Sequence, residues 1–498
     1  MKDFLAQAYD PAEFRRQGHA VVDLLADYLE SLYGNSYSSE SPPKPPSREK
    51  VLNYVSPEDL YAKWEQDLSS PPTGDLLPFL KIMMHDTIRL HHPKYMGHQR
   101  CVVAPPVALA EFVGSLLDPG MGVFEHGTTG VVLERLMAKK IGGLLGWKEH
   151  SCEGFFVHGG TLGNLTALLC ARQVMIPDDV WQNGYQHGKK FAFLVSSEAH
   201  YSVARATKVM GMGDSGSIKV PVDEYFRLRT DLLEEYFQKA TSEGVTVIGV
   251  VSSSCSTATG SHDDIEAIAK FCQAKKLWLH VDGAHGGAAI FSARHRHRLR
   301  GVEHADSFSV DFHKMLLTST LTTATVFRNG DHSYETFAQK ASYLWEQDEG
   351  REWYNLGKRT LELTKTFASI RVYALWRTYG TAIFEQNVDR LYALGTQFNE
   401  LVDTDPDFQT LLSEPETNVV CFQYRPRNAT LSEKETEHLN SAIREEVVKE
   451  GQFSIVQTRV HGNLYLRCSL MNPFTTEREM VELLEHIRTI GQKLNKPV

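Results

Sequence analysis

Apolar residues recur at helical spacing near the start of the chain. The segment Asp10-Pro11-Ala12-Glu13 has a capping carboxylate, a proline in the first turn and an acid three residues after the cap, which predicts a helix start. The residues that follow form one apolar stripe, which needs a covering surface: Phe14, Val21, Leu24, Leu25, Tyr28, Leu29 and Leu32. A proline-rich connector at residues 40–49 precedes a second helix, predicted around residues 56–68.

From about residue 94 to residue 330, short apolar strands alternate with amphipathic helices. The clearest predicted strands are Phe191–Ser196, Val245–Ser252, Leu277–Asp282 and Thr323–Phe327. This alternation predicts an α/β domain with a mainly parallel sheet and crossover helices. Ligands of such sheets bind at the carboxyl ends of the strands, so the polar residues that follow the apolar runs are the candidates for function.

The remainder of the chain has a different pattern. A long helix is predicted over residues 359–378, and the tail mixes strands at Val419–Tyr424 and Leu464–Cys468 with helices at 432–450 and 476–493. This mixture is typical of a smaller α+β domain. We therefore expect an N-terminal helical segment at 1–93, a large α/β domain at 94–375 and a small C-terminal domain at 376–498.

Composition excludes several classes of protein. The 498 residues are 42% hydrophobic and 23% charged, as in globular proteins, and the net charge of −10 argues against nucleic acid or an anionic membrane as partner. Mean hydropathy is −0.30, and no apolar run is long enough to span a membrane. Seven dispersed cysteines without a C-x-x-C pair, and no secretory signal, favour a reducing cytoplasm and no metal site.

A glycine-rich turn follows the apolar run 155–157. It reads His158-Gly159-Gly160-Thr161-Leu162-Gly163-Asn164 and leads into a predicted helix. Glycines bring backbone N–H groups close to a ligand, the helix N-terminus adds positive potential and Thr161 offers a hydroxyl. The turn could therefore bind an anion such as a phosphate, although a tight turn without a ligand would look the same.

Three more polar residues follow predicted strands: His200, Asp282 and Lys314. Singly, each has an ordinary interpretation, as a surface or core histidine, a solvated turn aspartate and a surface lysine. A buried aspartate, however, needs a partner, and a buried lysine can form a Schiff base. Together with a phosphate-binding turn, these are the groups that a pyridoxal 5′-phosphate site requires.

Motifs throughout the chain match one enzyme family in its order. They are Phe14-Arg15-Arg16-Gln17-Gly18, Gly159-Gly160-Thr161 with Asn164-Leu165, Ala199-His200 with Ser202-Val203, His280-Val281-Asp282-Gly283-Ala284, the segment 301–307 and His313-Lys314. The sequence resembles the group II pyridoxal-phosphate-dependent L-amino-acid decarboxylases, which include aromatic, histidine, glutamate and 2,4-diaminobutyrate decarboxylases. The resemblance implies fold type I, pyridoxal 5′-phosphate bound in the domain 94–375, and a homodimer formed through the segment 1–93 with active sites at the interface.

The resemblance also implies a role for each matching residue. It implies that Lys314 forms the Schiff base, that Asp282 pairs with the pyridine nitrogen, and that His200 and Ala284 pack on opposite faces of the ring. Gly160 and Thr161 match the phosphate-binding turn, and His313 matches the histidine beside the lysine. Ser256 or Thr257 matches the hydroxyl near the cofactor, and Arg467 matches the arginine that contacts a substrate carboxylate. The segment 91–98, with Tyr95 and His98, is the expected pocket for the substrate side chain.

Two segments depart from the family pattern. Many relatives have Asn-Pro before the His-Lys pair, whereas this chain has Asp311-Phe312, so we do not expect Asp311 to contact a phosphate, because like charges repel. With the segment 470–476, this form is closer to the diaminobutyrate branch. The loop that supplies the family's proton-donating tyrosine is shortened, and Tyr343 and Tyr354 are the candidates.

The leading hypothesis is a lyase that removes the α-carboxylate of an L-amino acid as CO2 and releases a primary amine, with a lean to a 2,4-diaminobutyrate-type substrate. An aromatic or acidic amino acid is an alternative substrate on the same scaffold. A second alternative is a decarboxylation-dependent oxidative deaminase, in which O2 intercepts the carbanion and an aldehyde forms. Aminotransfer ranks lower, and a non-catalytic scaffold is the hypothesis from a different class.

Overall fold

A computed structural model describes residues 3–33, 49–337 and 352–495 of the chain. Its α-helices, in chain order, are α1 (Phe4–Ala8), α2 (Pro11–Tyr33), α3 (Pro57–Leu68), α4 (Leu77–Asp86), α5 (Pro105–Leu117), α6 (Phe124–Leu144), α7 (Gly160–Met175), α8 (Val180–Asn183), α9 (Tyr201–Val209), α10 (Leu233–Ser242), α11 (Ile265–Lys275), α12 (Asp331–Phe337), α13 (Ser369–Tyr379), α14 (Ala382–Thr404), α15 (Glu433–Glu450) and α16 (Glu477–Leu494).

Two sheets organise the chain. The strands are β1 (Glu153–Val157), β2 (Lys190–Ser196), β3 (Ser217–Val220), β4 (Val245–Ser253), β5 (Trp278–Asp282), β6 (Ser307–Asp311), β7 (Thr323–Phe327), β8 (Phe408–Thr410), β9 (Val419–Tyr424), β10 (Val456–Val460) and β11 (Asn463–Ser469). The first seven form a sheet in the order β1-β7-β6-β5-β4-β2-β3, and the last four form a sheet in the order β10-β11-β9-β8.

The seven-stranded sheet is mixed and mainly parallel. Strand β7 runs antiparallel to β1 and β6, and the other neighbouring strands are parallel. Strands β5 and β6 are buried along their whole length, which explains their nearly continuous apolar runs. The parallel register brings the ends of β2, β4, β5 and β6 to one edge of the sheet, which confirms the predicted α/β class with crossover helices.

The chain divides into two compact units. One comprises Met1–His98, Glu400–Leu411 and Cys421–Val498, and the other comprises Gln99–Asn399 and Leu412–Val420. The larger unit contains the seven-stranded sheet. The predicted boundaries after residues 93 and 375 stay predictions. No helix in the described part of the chain is long and apolar enough to cross a membrane.

One predicted element is wrong. The helix expected over residues 359–378 begins only at Ser369, and the segment before it is irregular. Two buried cations hold that segment: Arg359 donates to Glu153 at 3.0 Å, and Lys365 donates to the Phe156 carbonyl at 2.5 Å. These tertiary contacts override local helix propensity.

Candidate active site

A cavity of about 320 Å³ lies within the larger unit, where β5 and β6 end and α7 begins. It is lined by Gln99, Arg100, His158, Gly159, Gly160, Thr161, Asn164, His200, Ser253, Cys255, Thr257, Asp282, Ala284, His285, Asp311, His313, Lys314 and Leu321. The structure thus brings together every residue of this unit to which the sequence assigns a cofactor role, apart from the alternative Ser256. Its size lies within the range of small-molecule sites.

The glycine turn supplies one wall of the cavity. Gly159 has φ 98° and ψ 156°, a conformation that only glycine adopts readily. A side chain on Gly160 would begin 3.2 Å from the Asp311 carboxylate and 3.3 Å from Ala284 Cβ, a tight fit that would require these neighbours to shift by a few tenths of an ångström. Helix α7 starts at Gly160, and its first N–H groups and the Thr161 hydroxyl therefore form a place for an anion.

Asp282 lies at the end of β5 and is 7% exposed. The Asn164 side-chain amide donates to its carboxylate at 2.7 Å, and the Ala284 N–H donates to its other oxygen at 3.2 Å. No lysine or arginine in the described ranges forms a salt bridge with Asp282. A buried carboxylate held only by neutral donors has no cation beside it, so a cationic ligand atom can pair with it.

Asn164 is the centre of a chain of hydrogen bonds behind Asp282. Because a carboxylate only accepts, the Asn164 NH2 group faces Asp282, and its Oδ1 then accepts from the His280 Nε2–H at 2.9 Å. The other His280 nitrogen pairs with the Ser307 hydroxyl at 2.9 Å, and Ser307 accepts from Trp278. Burial lowers the pKa of His280 to about 4. Neutral His280 thereby fixes the orientation of Asn164.

The same amide also sets the state of His200. Asn164 donates to the Ser202 hydroxyl at 2.9 Å, so Ser202 directs its own proton to His200 Nδ1, 2.8 Å away. The Ser202 N–H donates to this nitrogen as well. Burial lowers the pKa of His200, although Asp282 opposes the shift. His200 is therefore a neutral imidazole that carries its proton on Nε2.

Lys314 follows β6, and 21% of its side chain is exposed. Its Nζ lies 3.1 Å from the Asp311 carboxylate. Asp311 in turn accepts a hydrogen bond from the Thr323 hydroxyl at 2.6 Å. The amine thus reaches the cavity while a buried acid holds its position.

Other predicted residues lie outside this cavity. Tyr95, His98 and Arg467 belong to the smaller unit, where Tyr95 and Arg467 are buried and His98 is exposed. Tyr343 lies outside the described residues. Tyr354 packs against Met121, Val131 and Leu356, which is the core role of an aromatic side chain. The substrate and proton-donor assignments of these residues stay predictions.

Sequence reasoning gave no role to Arg100, His158, Asn164 or His280. Asn164 and His280 belong to quoted motifs, and His280 precedes Asp282 by two residues on a strand, so both side chains lie on one face of the sheet. This alternation could have identified His280 as a neighbour of Asp282. Arg100 and His158 carry no such signal, because an arginine in a loop and a histidine at a strand end are common at surfaces.

Comparisons with known proteins agree with this site. The profile of the pyridoxal-dependent decarboxylase conserved domain matches residues 86–425. Acidic amino acid decarboxylase GADL1 from Homo sapiens is 28% identical over 90% of this chain and 87% of its own length. Cysteine sulfinic acid decarboxylase from Rattus norvegicus is 27% identical over 90% and 92%. Aromatic-L-amino-acid decarboxylase from Bacillus atrophaeus is 26% identical over 97% and 96%.

A solved structure extends the match to the fold. Mouse CSAD superposes with a TM-score of 0.86 at 25% identity, covering 97% of this chain and all of that one. The donor set of the cavity fits pyridoxal 5′-phosphate, since it offers an anion site, a buried carboxyl group held by neutral donors and an accessible amine. The family, fold type, enzyme class and cofactor expected from the sequence are confirmed. The chain belongs to the pyridoxal-dependent decarboxylase family and is a carboxy-lyase that uses pyridoxal 5′-phosphate to decarboxylate an amino acid.

Proposed function

We propose that the protein removes the α-carboxylate of an acidic L-amino acid as CO2 and releases a primary amine. The observation that carries the decarboxylase role is the convergence of Gly160, Thr161, Asp282 and Lys314 on one cavity within the larger unit. The relatives named for acidic amino acids support the substrate class, and so does the charge of the cavity.

Each residue has a distinct task in this proposal. Gly160 and Thr161 would hold the phosphate at the N-terminus of α7, and Lys314 would bind the cofactor covalently. Asp282 would keep a proton on the ring nitrogen, because its charge is not neutralised by another cation. When bound, the cofactor supplies an electron-accepting ring that stabilises the negative charge left at Cα after CO2 departs.

Proton delivery is the second requirement. Lys314 lines the cavity as an amine that can carry a proton, and neutral His200 lines it as a hydrogen-bond donor through Nε2–H; their neighbours Asp311 and Ser202 hold them in place. We retain Tyr343 as the proposed main donor by resemblance to the family. Burial lowers the pKa of His200, so the side chain is neutral and can orient a substrate carboxylate through its Nε2–H.

The charges of the cavity favour an anionic substrate side chain over a cationic one. Among the described residues, Asp282 and Asp311 are its lining carboxylates. Asp311 is paired with Lys314, and Asp282 is reserved for the ring nitrogen, so the ammonium of 2,4-diaminobutyrate would lack a partner. Arg100, whose Nη2 donates to Thr320 at 3.1 Å, gives an acidic side chain a cation. We therefore propose an acidic substrate in place of the 2,4-diaminobutyrate that the sequence favours.

A substrate screen tests the proposal. Amine and CO2 release should be fastest with aspartate, glutamate or cysteine sulfinate, and much slower with diaminobutyrate, ornithine, histidine and aromatic amino acids. Arg100→Gln should lower kcat/KM for the acidic substrate by about tenfold while binding the cofactor normally. Fast turnover of diaminobutyrate or of an aromatic amino acid would contradict the acidic assignment, and stoichiometric peroxide would establish the oxidative alternative.

We also propose that the protein is a homodimer. Helix α5 exposes an apolar stripe at positions i, i+3, i+4, i+7 and i+8, which are Leu109, Phe112, Val113, Leu116 and Leu117, each 49–71% exposed. A face of this size on a soluble enzyme is typical of a protein interface. Sedimentation should give a dimer for the wild type and a monomer for Leu116→Glu. A wild-type monomer at micromolar concentration would contradict the proposal.

The proposed location is the cytoplasm. All seven cysteines lie in the described ranges, and each is a buried thiol outside any disulfide. Free thiols persist in reducing compartments, which supports this location. Fractionation that places the protein with secreted material would contradict it.

A further inference from the structure

Asp311 lies between the glycine turn and Lys314. It is the last residue of β6 and is 2% exposed. Its two carboxylate oxygens lie 3.2 and 3.3 Å from the point where a side chain on Gly160 would begin. The carboxylate therefore packs against the first residue of α7, at the helix end that would hold the cofactor phosphate.

Asp311 is ionised in this position. Burial raises the pKa of its carboxyl, but Lys314, His313 and the Thr323 hydroxyl together outweigh burial, so the pKa lies below its usual range. His313 lies 3.5 Å away, and burial lowers its own pKa, so its contribution is smaller than that of Lys314. Among the described residues, Lys314 is the lysine that balances the charge of Asp311.

A phosphate at this turn would meet two opposed fields. The N-terminus of α7 attracts the phosphate, which carries about 1.5 to 2 negative charges near pH 7. The buried Asp311 carboxylate repels it, and solvent screens this repulsion poorly. The charged and titratable groups that line the same cavity are Arg100, His158, His200, Cys255, Asp282, His285, Asp311, His313 and Lys314.

We propose that Asp311 weakens binding of the cofactor's phosphate and so keeps the cofactor exchangeable. The occupancy of the enzyme would then follow the supply of pyridoxal 5′-phosphate. This inference rests on the proposed role of Gly160 and Thr161 as the phosphate site. It gives Asp311 a function besides positioning the lysine, and that function concerns the phosphorylated ligand alone.

The test compares ligands with and without the phosphate. Cofactor-free enzyme is titrated with pyridoxal 5′-phosphate and with pyridoxal. The dissociation constant of pyridoxal divided by that of pyridoxal 5′-phosphate measures how much the phosphate contributes to binding. Asp311→Asn keeps the shape and removes the charge, so it should raise the preference for the phosphorylated form by about tenfold. A role of Asp311 that is confined to the fold or to Lys314 would change both affinities together and leave the ratio unchanged.

Two control variants separate the possible failures. Thr323→Val removes the hydrogen bond to Asp311 but keeps its charge, so the ratio should stay near the wild-type value. Thr161→Ala should lower the ratio; if it does not, the phosphate lies elsewhere and the proposed site fails together with this inference. If Thr161→Ala lowers the ratio while Asp311→Asn leaves it unchanged, this inference alone is overturned.

Wild-type protein gives an independent reading if Asp311→Asn does not fold. In phosphorus-31 NMR of the cofactor-loaded enzyme, the phosphate should retain its second proton to a higher pH than in the free cofactor, because the nearby carboxylate disfavours the doubly charged form. A phosphate that is already fully deprotonated at pH 6 would overturn the inference.

Discussion

Two buried carboxylates in the larger unit, Glu153 and Asp282, have opposite kinds of partner. Glu153, on β1, contacts Arg135 at 2.5 Å, Arg359 at 3.0 Å and Lys139 at 3.2 Å. Asp282, at the end of β5, is held by the neutral donors Asn164 and Ala284. Both acids lie in the same sheet, and both are mostly shielded from water.

The difference shows how a buried acid can serve either stability or chemistry. Glu153 already has three cationic partners, so its carboxylate is neutralised without a ligand. Around Asp282 two neutral donors are bound but the negative charge is not balanced, which costs stability unless a cationic ligand arrives. A buried carboxylate with neutral partners is therefore the better indicator of a binding site.

The largest expected effect comes from Lys314. Lys314→Ala removes the amine that binds the cofactor, so the visible absorbance of the bound cofactor and all measurable turnover should disappear. Absorbance spectra and CO2 release check both. A variant with the wild-type spectrum would show that the lysine is wrongly assigned.

Asp282→Asn should separate binding from turnover. The amide keeps the shape of the carboxylate but cannot hold a charged ring nitrogen, so we expect at least a roughly 100-fold loss of kcat with cofactor still bound. Steady-state kinetics together with cofactor titration measure this. Turnover close to wild type would mean that another acid serves the ring.

Asn164→Ala should have an intermediate effect. It removes the donor that orients Asp282 and also the donor that sets the Ser202 and His200 protons, and one lost buried hydrogen bond corresponds to about tenfold in kcat. The pH dependence of the cofactor spectrum should shift as well, which a purely structural role would not produce. Ser307→Ala, farther along the same chain of hydrogen bonds, should show a smaller shift.

Glu153→Gln should affect stability and leave turnover nearly unchanged. Burial raises the pKa of Glu153, but Arg135, Arg359 and Lys139 outweigh it and hold the pKa at about 2. Because this pKa is depressed, its stabilisation is present above the ordinary value of 4.5 and is lost as pH falls towards about 2. Urea unfolding at pH 7 should show a loss of about 3 kcal/mol that shrinks below pH 4.5. A changed cofactor spectrum in this variant would contradict the purely structural role of Glu153.

The sequence predicts the site well because each part ends a buried strand or follows one. Gly160, His200, Asp282 and Lys314 each come after an apolar run, and the parallel register places those runs side by side. The bond between Asn164 and Asp282 joins residues 118 positions apart, so no local pattern indicates it. The prediction of a helix over 359–378 is wrong at its start for the same reason, because Arg359 and Lys365 form salt bridges with Glu153 and Glu134, which are distant in sequence.

The attachment point of the cofactor tests the central claim most directly. Borohydride reduction of the cofactor-loaded enzyme, followed by peptide mass spectrometry, locates the lysine that carries the cofactor. Lys314 faces the cavity that holds Asp282, whereas the more deeply buried Lys358 and Lys365 are paired with Glu352 and Glu134. We expect the label on Lys314. A label on Lys365 or on any other lysine would contradict it.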